Sequence, residues 1–189
     1  MKRPPGKLRI IGGEHRTRIV DFDAASGVRP TPDRVRQVLF DWLTPVIDGA
    51  RCLDLFAGSG VLGLEALSRG AAHATLVDTG RSQTTAISVA VAKLGLTDRV
   101  TVVNANGLSF LSSARGPGFD VVFVDPPYGG GLLAPTLENL PRVLSTDNRV
   151  YLEWPHGKPL VLPEGYTLLR EKKAGQVSYG LASFTGVSA

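Results

Sequence analysis

Asp125-Pro126-Pro127-Tyr128 directly follows the apolar run Phe119 to Val124, so a carboxylate, a carbonyl and an aromatic ring stand together where a buried strand would end. Proline has a fixed φ and no N–H, which makes this loop rigid and lets the Asp125 and Pro126 oxygens point at one ligand. Two acceptors beside a flat ring suit a planar amino group. An isolated Asp-Pro-Pro is more often only a turn leaving a strand. Residues upstream tip the reading toward chemistry.

Arg51 to Phe56 reads as a short apolar strand running into the turn Ala57-Gly58-Ser59-Gly60, with a helical stretch over Leu62 to Leu67. Glycine lets the backbone approach a ligand and lets the helix pack closely on the strand, and the first helical N–H groups are expected to remain free to donate. Gly58, Gly60 and Gly63 match the spacing of a dinucleotide turn, and Asp78 ends the next strand, Ala74 to Asp78, where a carboxylate can hold ribose hydroxyls. That pair alone would fit NAD. Asp54, just before the turn, is awkward for a pyrophosphate and welcome to a cation. S-adenosylmethionine carries a sulfonium and an ammonium, and an amine-directed loop such as Asp125 to Tyr128 has a use in N-methylation and none in hydride transfer.

With these residues in view, the chain resembles the RsmD family of 16S rRNA guanine-N2 methyltransferases, within the Rossmann-like S-adenosylmethionine-dependent enzymes. The resemblance runs through Arg9 to Gly13, Arg29 to Arg36, Asp54 to Ala71, Asp125 to Tyr128 and Lys173 to Gly180. It implies a class I α/β fold, a mostly parallel seven-stranded sheet with an antiparallel last strand, and S-adenosylmethionine as cofactor. It also implies methylation of guanine N2 in 16S rRNA (guanine 966 in the usual numbering), on naked RNA or on the small ribosomal subunit. Many methyltransferases place an acid after the third strand to receive the adenine amine; this chain has Asn106, followed by Gly107. An amide can accept and donate there, or simply cap the next helix. Phe56 and Leu108 are candidates to line the adenosyl pocket.

Composition frames the site. A chain of 189 residues, 43% hydrophobic, buries one full core, and a monomer is expected. Cys52 is the single cysteine and reads as a small buried hydrophobe; disulfides and cysteine-rich metal sites are excluded. His15, His73 and His156 lack ligand spacing, so no metal is assigned. No apolar core follows the charged residues at Met1 to Lys7, and no stretch reaches the roughly 20 apolar residues of a membrane helix, so a cytoplasmic protein is expected.

Charge is unevenly placed. Residues 1–36 hold nine Lys or Arg against four acids, a net of +5, leaving the other 153 residues at −1. Basic residues alternate with apolar ones in Leu8 to Ile11 and Arg16 to Val20, which predicts a basic hairpin around Gly12-Gly13. Residues 1–28 are therefore read as an RNA-contact arm and 29–189 as the methyltransferase domain, with Arg9, Arg16, Arg18, Arg29 and Arg34 as candidate phosphate contacts.

An alternating order is predicted from there. Thr31 caps a helix with Pro32 at its first position and Val35, Leu39, Trp42 and Leu43 on one face. Helices over Ser82 to Leu94 and Leu108 to Ala114 alternate with strands over Val100 to Val103 and Phe119 to Val124. A helical stretch over Leu132 to Leu144, interrupted by Pro135 and Pro141, precedes a strand over Val150 to Trp154. Thr167 to Lys173 and Val177 to Phe184 form a terminal hairpin at Gly175. Glu153 either accepts from a base or caps a loop, and Tyr179 and Trp154 read as core or rim aromatics.

The chemistry expected is in-line transfer to an exocyclic amine whose hydrogens are held by Asp125 and the Pro126 carbonyl on the Pro127-stiffened loop, with Tyr128 stacked on an extruded base. Rivals are an amino-methylating enzyme acting on DNA adenine, another RNA or a protein glutamine amide, an NAD-dependent oxidoreductase, and a non-catalytic RNA-binding module.

Overall fold

The computed structural model describes residues 5–24, 27, 29–115, 118–127, 129 and 131–186. The chain opens with β1 (Gly6–Arg9) and β2 (Ile19–Phe22), an antiparallel pair in the register Leu8↔Val20 and Arg9↔Ile19. The hairpin expected from the sequence is present, with shorter strands and a longer connection: residues 10–18 form a loop rather than a tight turn at Gly12-Gly13. The loop is wide because it folds onto the body. Ile10 and Val20 are buried in the same core as the first two helices.

Helix α1 (Asp33–Leu43) buries Val35, Leu39, Phe40 and Leu43. Pro32, not Thr31, occupies its N-cap, and no side chain caps it. Then follow β3 (Arg51–Asp54), α2 (Val61–Ser68), β4 (His73–Asp78), α3 (Arg81–Leu94), β5 (Val100–Asn104), α4 (Gly107–Ser113) and β6 (Phe119–Val124). The Leu132 to Leu144 stretch is not one helix. It divides into α5 (Leu133–Asn139) and a 3-10 turn over Leu140–Val143 whose second residue, Pro141, lacks the N–H that would continue the α-helical ladder. Strand β7 (Leu144–Pro155) is longer than its apolar part predicts, and a register shift between Phe119 and Val121 absorbs its irregular first half. β8 (Tyr166–Ala174) and β9 (Val177–Phe184) complete the terminal hairpin.

The seven-stranded sheet runs β5-β4-β3-β6-β7-β9-β8. β3 to β7 are parallel, and β9 is antiparallel to both neighbours. This is the Rossmann-like arrangement of S-adenosylmethionine-dependent methyltransferases. Connections leave β3 toward β4 on one side and reach β6 on the other, so the strand order reverses between β3 and β6. A crevice forms outside the carboxyl ends at such a point. Asp54 ends β3 and Asp125 follows β6, which puts both at that crevice.

Candidate active site

One cavity of about 560 Å³ opens at the crevice, and two regions far apart in sequence share its wall. The glycine turn contributes Asp54, Phe56, Ala57, Gly58 and Ser59; the loop after β6 contributes Asp125, Pro126 and Pro127. Asp78, Asn106, Gly107 and Arg29 also line it. Tyr128, expected beside them, lies outside the described residues. Gly60 and Gly63 are off the wall, as is Leu108. Gly63 serves packing: a Cβ there would stand 2.9 Å from Leu76 Cδ2, so its absence lets α2 lie against β4. Gly60 holds a left-handed φ of 74° at the N-cap of α2.

Several N–H groups of the turn and of the start of α2 are spent internally, contrary to the expectation that they remain free. Gly63 N–H donates to Asp54 Oδ2 at 3.2 Å, Val61 N–H to Ser59 Oγ at 3.4 Å, and Gly58 N–H to Asp78 Oδ2 at 2.8 Å. This loop is a poor anion cradle, because two carboxylates and the Ser59 hydroxyl hold three of the donors a pyrophosphate would need. The fit is to a cation. Asp54 is buried, and burial together with the Asp78 charge, against the Gly63 hydrogen bond, pushes its pKa up to about 7. A positive ligand group would relieve that.

Asp78 is placed by two backbone donors, Gly58 N–H on one oxygen and Gly80 N–H at 2.8 Å on the other. A carboxylate oxygen accepts more than one hydrogen bond, so both remain capable of receiving hydroxyls. Asn106 takes the capping role: its side-chain oxygen accepts from Leu108 N–H at 2.9 Å and Ser109 N–H at 3.3 Å. What it offers the cavity is the amide NH₂, a donor rather than an acceptor.

Asp125 holds its proton well above the usual carboxylate range, first through burial, then through the neighbouring Glu153 and Asp54 charges. Beside it, the Tyr151 hydroxyl donates to Glu153 Oε1 at 2.6 Å, and burial raises the Tyr151 pKa as well. Tyr151 was not singled out from sequence, since nothing in an apolar strand marks one tyrosine as facing a carboxylate.

The basic candidates divide. Arg29 faces the cavity; Arg9, Arg16, Arg18 and Arg34 are exposed, and Arg9 pairs with Asp33 at 3.4 Å. Arg36, one of the nine cations counted near the N-terminus, is fully buried and out of reach of a phosphate backbone. It pairs with Glu65 at 2.9 Å and with Asp33. Glu65, also fully buried, further receives Ile11 N–H at 3.0 Å, Gly12 N–H at 2.8 Å and Arg69 Nε–H at 3.0 Å. A lone acid within Val61–Ser68 was the signal available in the sequence, and it fastens the arm rather than any ligand.

Among the described residues no cluster of three or more His, Cys, Asp or Glu could hold a metal, and no helix is long and apolar enough to cross a membrane.

The family model described as "Conserved hypothetical protein 95" matches residues 8–183. Ribosomal RNA small subunit methyltransferase D of Escherichia coli is 47% identical over 191 residues, covering 96% of this chain and 94% of that protein. The Haemophilus influenzae protein of the same name is 40% identical, covering 93% of each. A solved Escherichia coli structure, "Putative methyltransferase yhhF", is 44% identical with a TM-score of 0.85, covering 95% of this chain and 98% of its own. The glycine turn and the Asp125 loop thus meet in a chain that belongs to the Conserved hypothetical protein 95 family, the family of the ribosomal RNA small subunit methyltransferase D proteins.

Proposed function

We propose that this protein transfers a methyl group from S-adenosylmethionine to the exocyclic N2 of a guanine in 16S rRNA, guanine 966 in the usual numbering. Family membership supports the coarser part, methylation of rRNA, because its relatives are named for that activity. The observation that carries transfer to an amine is the shared cavity, where the cation-suited turn and the amine-suited loop open into the same space; guanine N2 and position 966 follow from the family resemblance.

Asp54 would face the cofactor's positive end, Asp78 its ribose hydroxyls, and the Asn106 amide a ring nitrogen of the adenine. Bound there, S-adenosylmethionine supplies a methyl group made electrophilic by the sulfonium. Guanine N2 is a poor nucleophile because its lone pair is delocalised into the ring. Accepting its two hydrogens at the Asp125 carboxylate and the Pro126 carbonyl favours a pyramidal nitrogen and stabilises the positive charge that develops during attack. The proton lost from nitrogen passes to Asp125, whose raised proton affinity suits it, or to water. The base must leave its stack to reach this loop, and Tyr128 is assigned to stack on it. Residues 1–28 are assigned to RNA contact and 29–189 to catalysis, with Arg9, Arg16, Arg18, Arg29 and Arg34 along the path of the backbone.

The test is transfer of radiolabelled methyl to small ribosomal subunits lacking the modification, with digestion and mass spectrometry of the product. N2-methylguanosine in 16S rRNA is expected. Label absent from RNA despite cofactor binding would sink the substrate assignment and redirect the search to DNA, then to protein amides.

A further inference from the structure

Beyond the acceptors already assigned, one more carboxylate, Glu153, stands beside Asp125 on β7, across β6 from Asp54. In the parallel register Phe123 lies beside Tyr151 and Val124 beside Leu152, so the next residues, Asp125 and Glu153, emerge side by side at the carboxyl ends of β6 and β7. Neighbouring strands are about 4.8 Å apart and side chains alternate between faces. Asp125 and Glu153 therefore share the face of Phe123 and Tyr151, which is the α1 face of the sheet. On the far side, Glu153 is opposite Tyr179 of β9. Tyr179 is backed by Trp42 at 5.7 Å and Tyr151 at 6.3 Å between ring centroids. The Tyr151 hydroxyl, donating at 2.6 Å, fixes the orientation of the Glu153 carboxylate. The result is two carboxylates, Asp125 and Glu153, side by side against an aromatic wall, with the Pro126 carbonyl next in the chain.

We infer that Glu153 is a specificity-determining residue that accepts the N1–H of the target guanine while Asp125 and Pro126 hold its N2 amine. Guanine alone among the four common bases presents an amine and an adjacent ring N–H as consecutive donors. Adenine and cytosine follow their amine with a ring acceptor, which would stand lone pair to lone pair against a carboxylate; uracil has no amine. Tyr151 is the positioning residue for this contact. The inference rests on the methyl-transfer reading above and supplies a reason for guanine that comes from the site itself.

The experiment compares subunits carrying guanine at the target with subunits reconstituted with 2-aminopurine there. 2-Aminopurine keeps the exocyclic N2 amine and puts an acceptor at N1. Wild type is expected to prefer guanine by about 100-fold or more in kcat/KM, because a site built to bond a donor rejects the analogue lacking it. Glu153→Gln, whose amide can donate to the N1 acceptor, is expected to reduce that preference at least about tenfold. Tyr151→Phe is expected to narrow it less. An unchanged preference in Glu153→Gln, with cofactor binding intact, overturns the inference, since a merely structural glutamate would lower both rates alike. Should Glu153→Gln lose cofactor binding, wild type alone decides: a preference below about threefold overturns the assignment. Formation of N2-methylguanosine by wild type is read in the same experiment, so failure of the methyl-transfer reading is told apart from failure of Glu153.

Discussion

Glu65 and Asp54 are both buried carboxylates on consecutive elements, α2 and β3, and their surroundings are opposite. Glu65 is met by Arg36, Arg69 and the N–H groups of Ile11 and Gly12, a full complement of donors from within the chain. Asp54 is met by one backbone N–H and by the like charge of Asp78, and its pKa rises to about 7. Asp125, at the end of the neighbouring strand, is raised too. A buried charge costs several kcal/mol unless it is paired. Where the chain supplies the partners, the acid holds the fold; where it withholds them, a ligand is left to supply cation or donor.

The largest effect should fall on the paired acid. Removing one partner of a buried pair strands the other, so Glu65→Ala is expected to lower stability by about 3–5 kcal/mol, read as the denaturation midpoint. A loss under about 1 kcal/mol would erase the distinction between the two sites. Next, Asp125→Ala should reduce methyl transfer about 10²–10³-fold with cofactor affinity little changed, while Asp125→Asn, which keeps an acceptor oxygen, should lose less. Equal losses in rate and cofactor affinity would place Asp125 on the wrong side of the cavity. In wild type, the rate should climb with pH above the ordinary carboxylate range, because Asp125 accepts from the amine only when deprotonated and its proton leaves late.

Asp54 gives a smaller effect with a definite sign. Its folded pKa of about 7 exceeds the ordinary 3.8, so the folded state holds a proton the unfolded state has lost, and stability falls as pH rises between those values. Binding a cation beside Asp54 favours the carboxylate. Cofactor affinity should therefore rise with pH toward about 7 with uptake of cofactor releasing a proton, and Asp54→Asn should flatten both trends. Calorimetry in buffers of different ionisation enthalpy reads the proton; none released would mean that the cationic end lies elsewhere. The smallest effect belongs to the arm. Neutralising Arg16 and Arg18 together should lower the salt slope of RNA binding by about 1.5, at roughly 0.7–0.9 per phosphate contact.

Strands β3, β4 and β6 were legible because both faces of a parallel sheet are covered and their residues read as continuous apolar runs. The glycine spacing and the terminal hairpin were legible too, since each depends on short-range backbone geometry. Less legible were the opposite outcomes of Pro135, taken into the first turn of α5, and Pro141, at the break between α5 and its 3-10 turn, and the length of β7, set by pairing with β6 and β9 rather than by its own composition. Arg36 shows the limit most clearly. Local charge counted it with the basic arm, and only the approach of α2, 29 residues on, made it the buried partner of Glu65.

The residues alone determined the α/β order and the types that could do chemistry at the ends of strands, because periodicity, glycine and proline act over a few positions. Tertiary structure decided which donors were already spent, at Gly58, Val61, Gly63 and on Asn106, and which carboxylates share a wall. It also set Tyr151 against Glu153 beside Asp125. Those outcomes depend on register and burial between segments distant in the chain, and the electrostatics of a carboxylate are fixed only once water has been removed from around it.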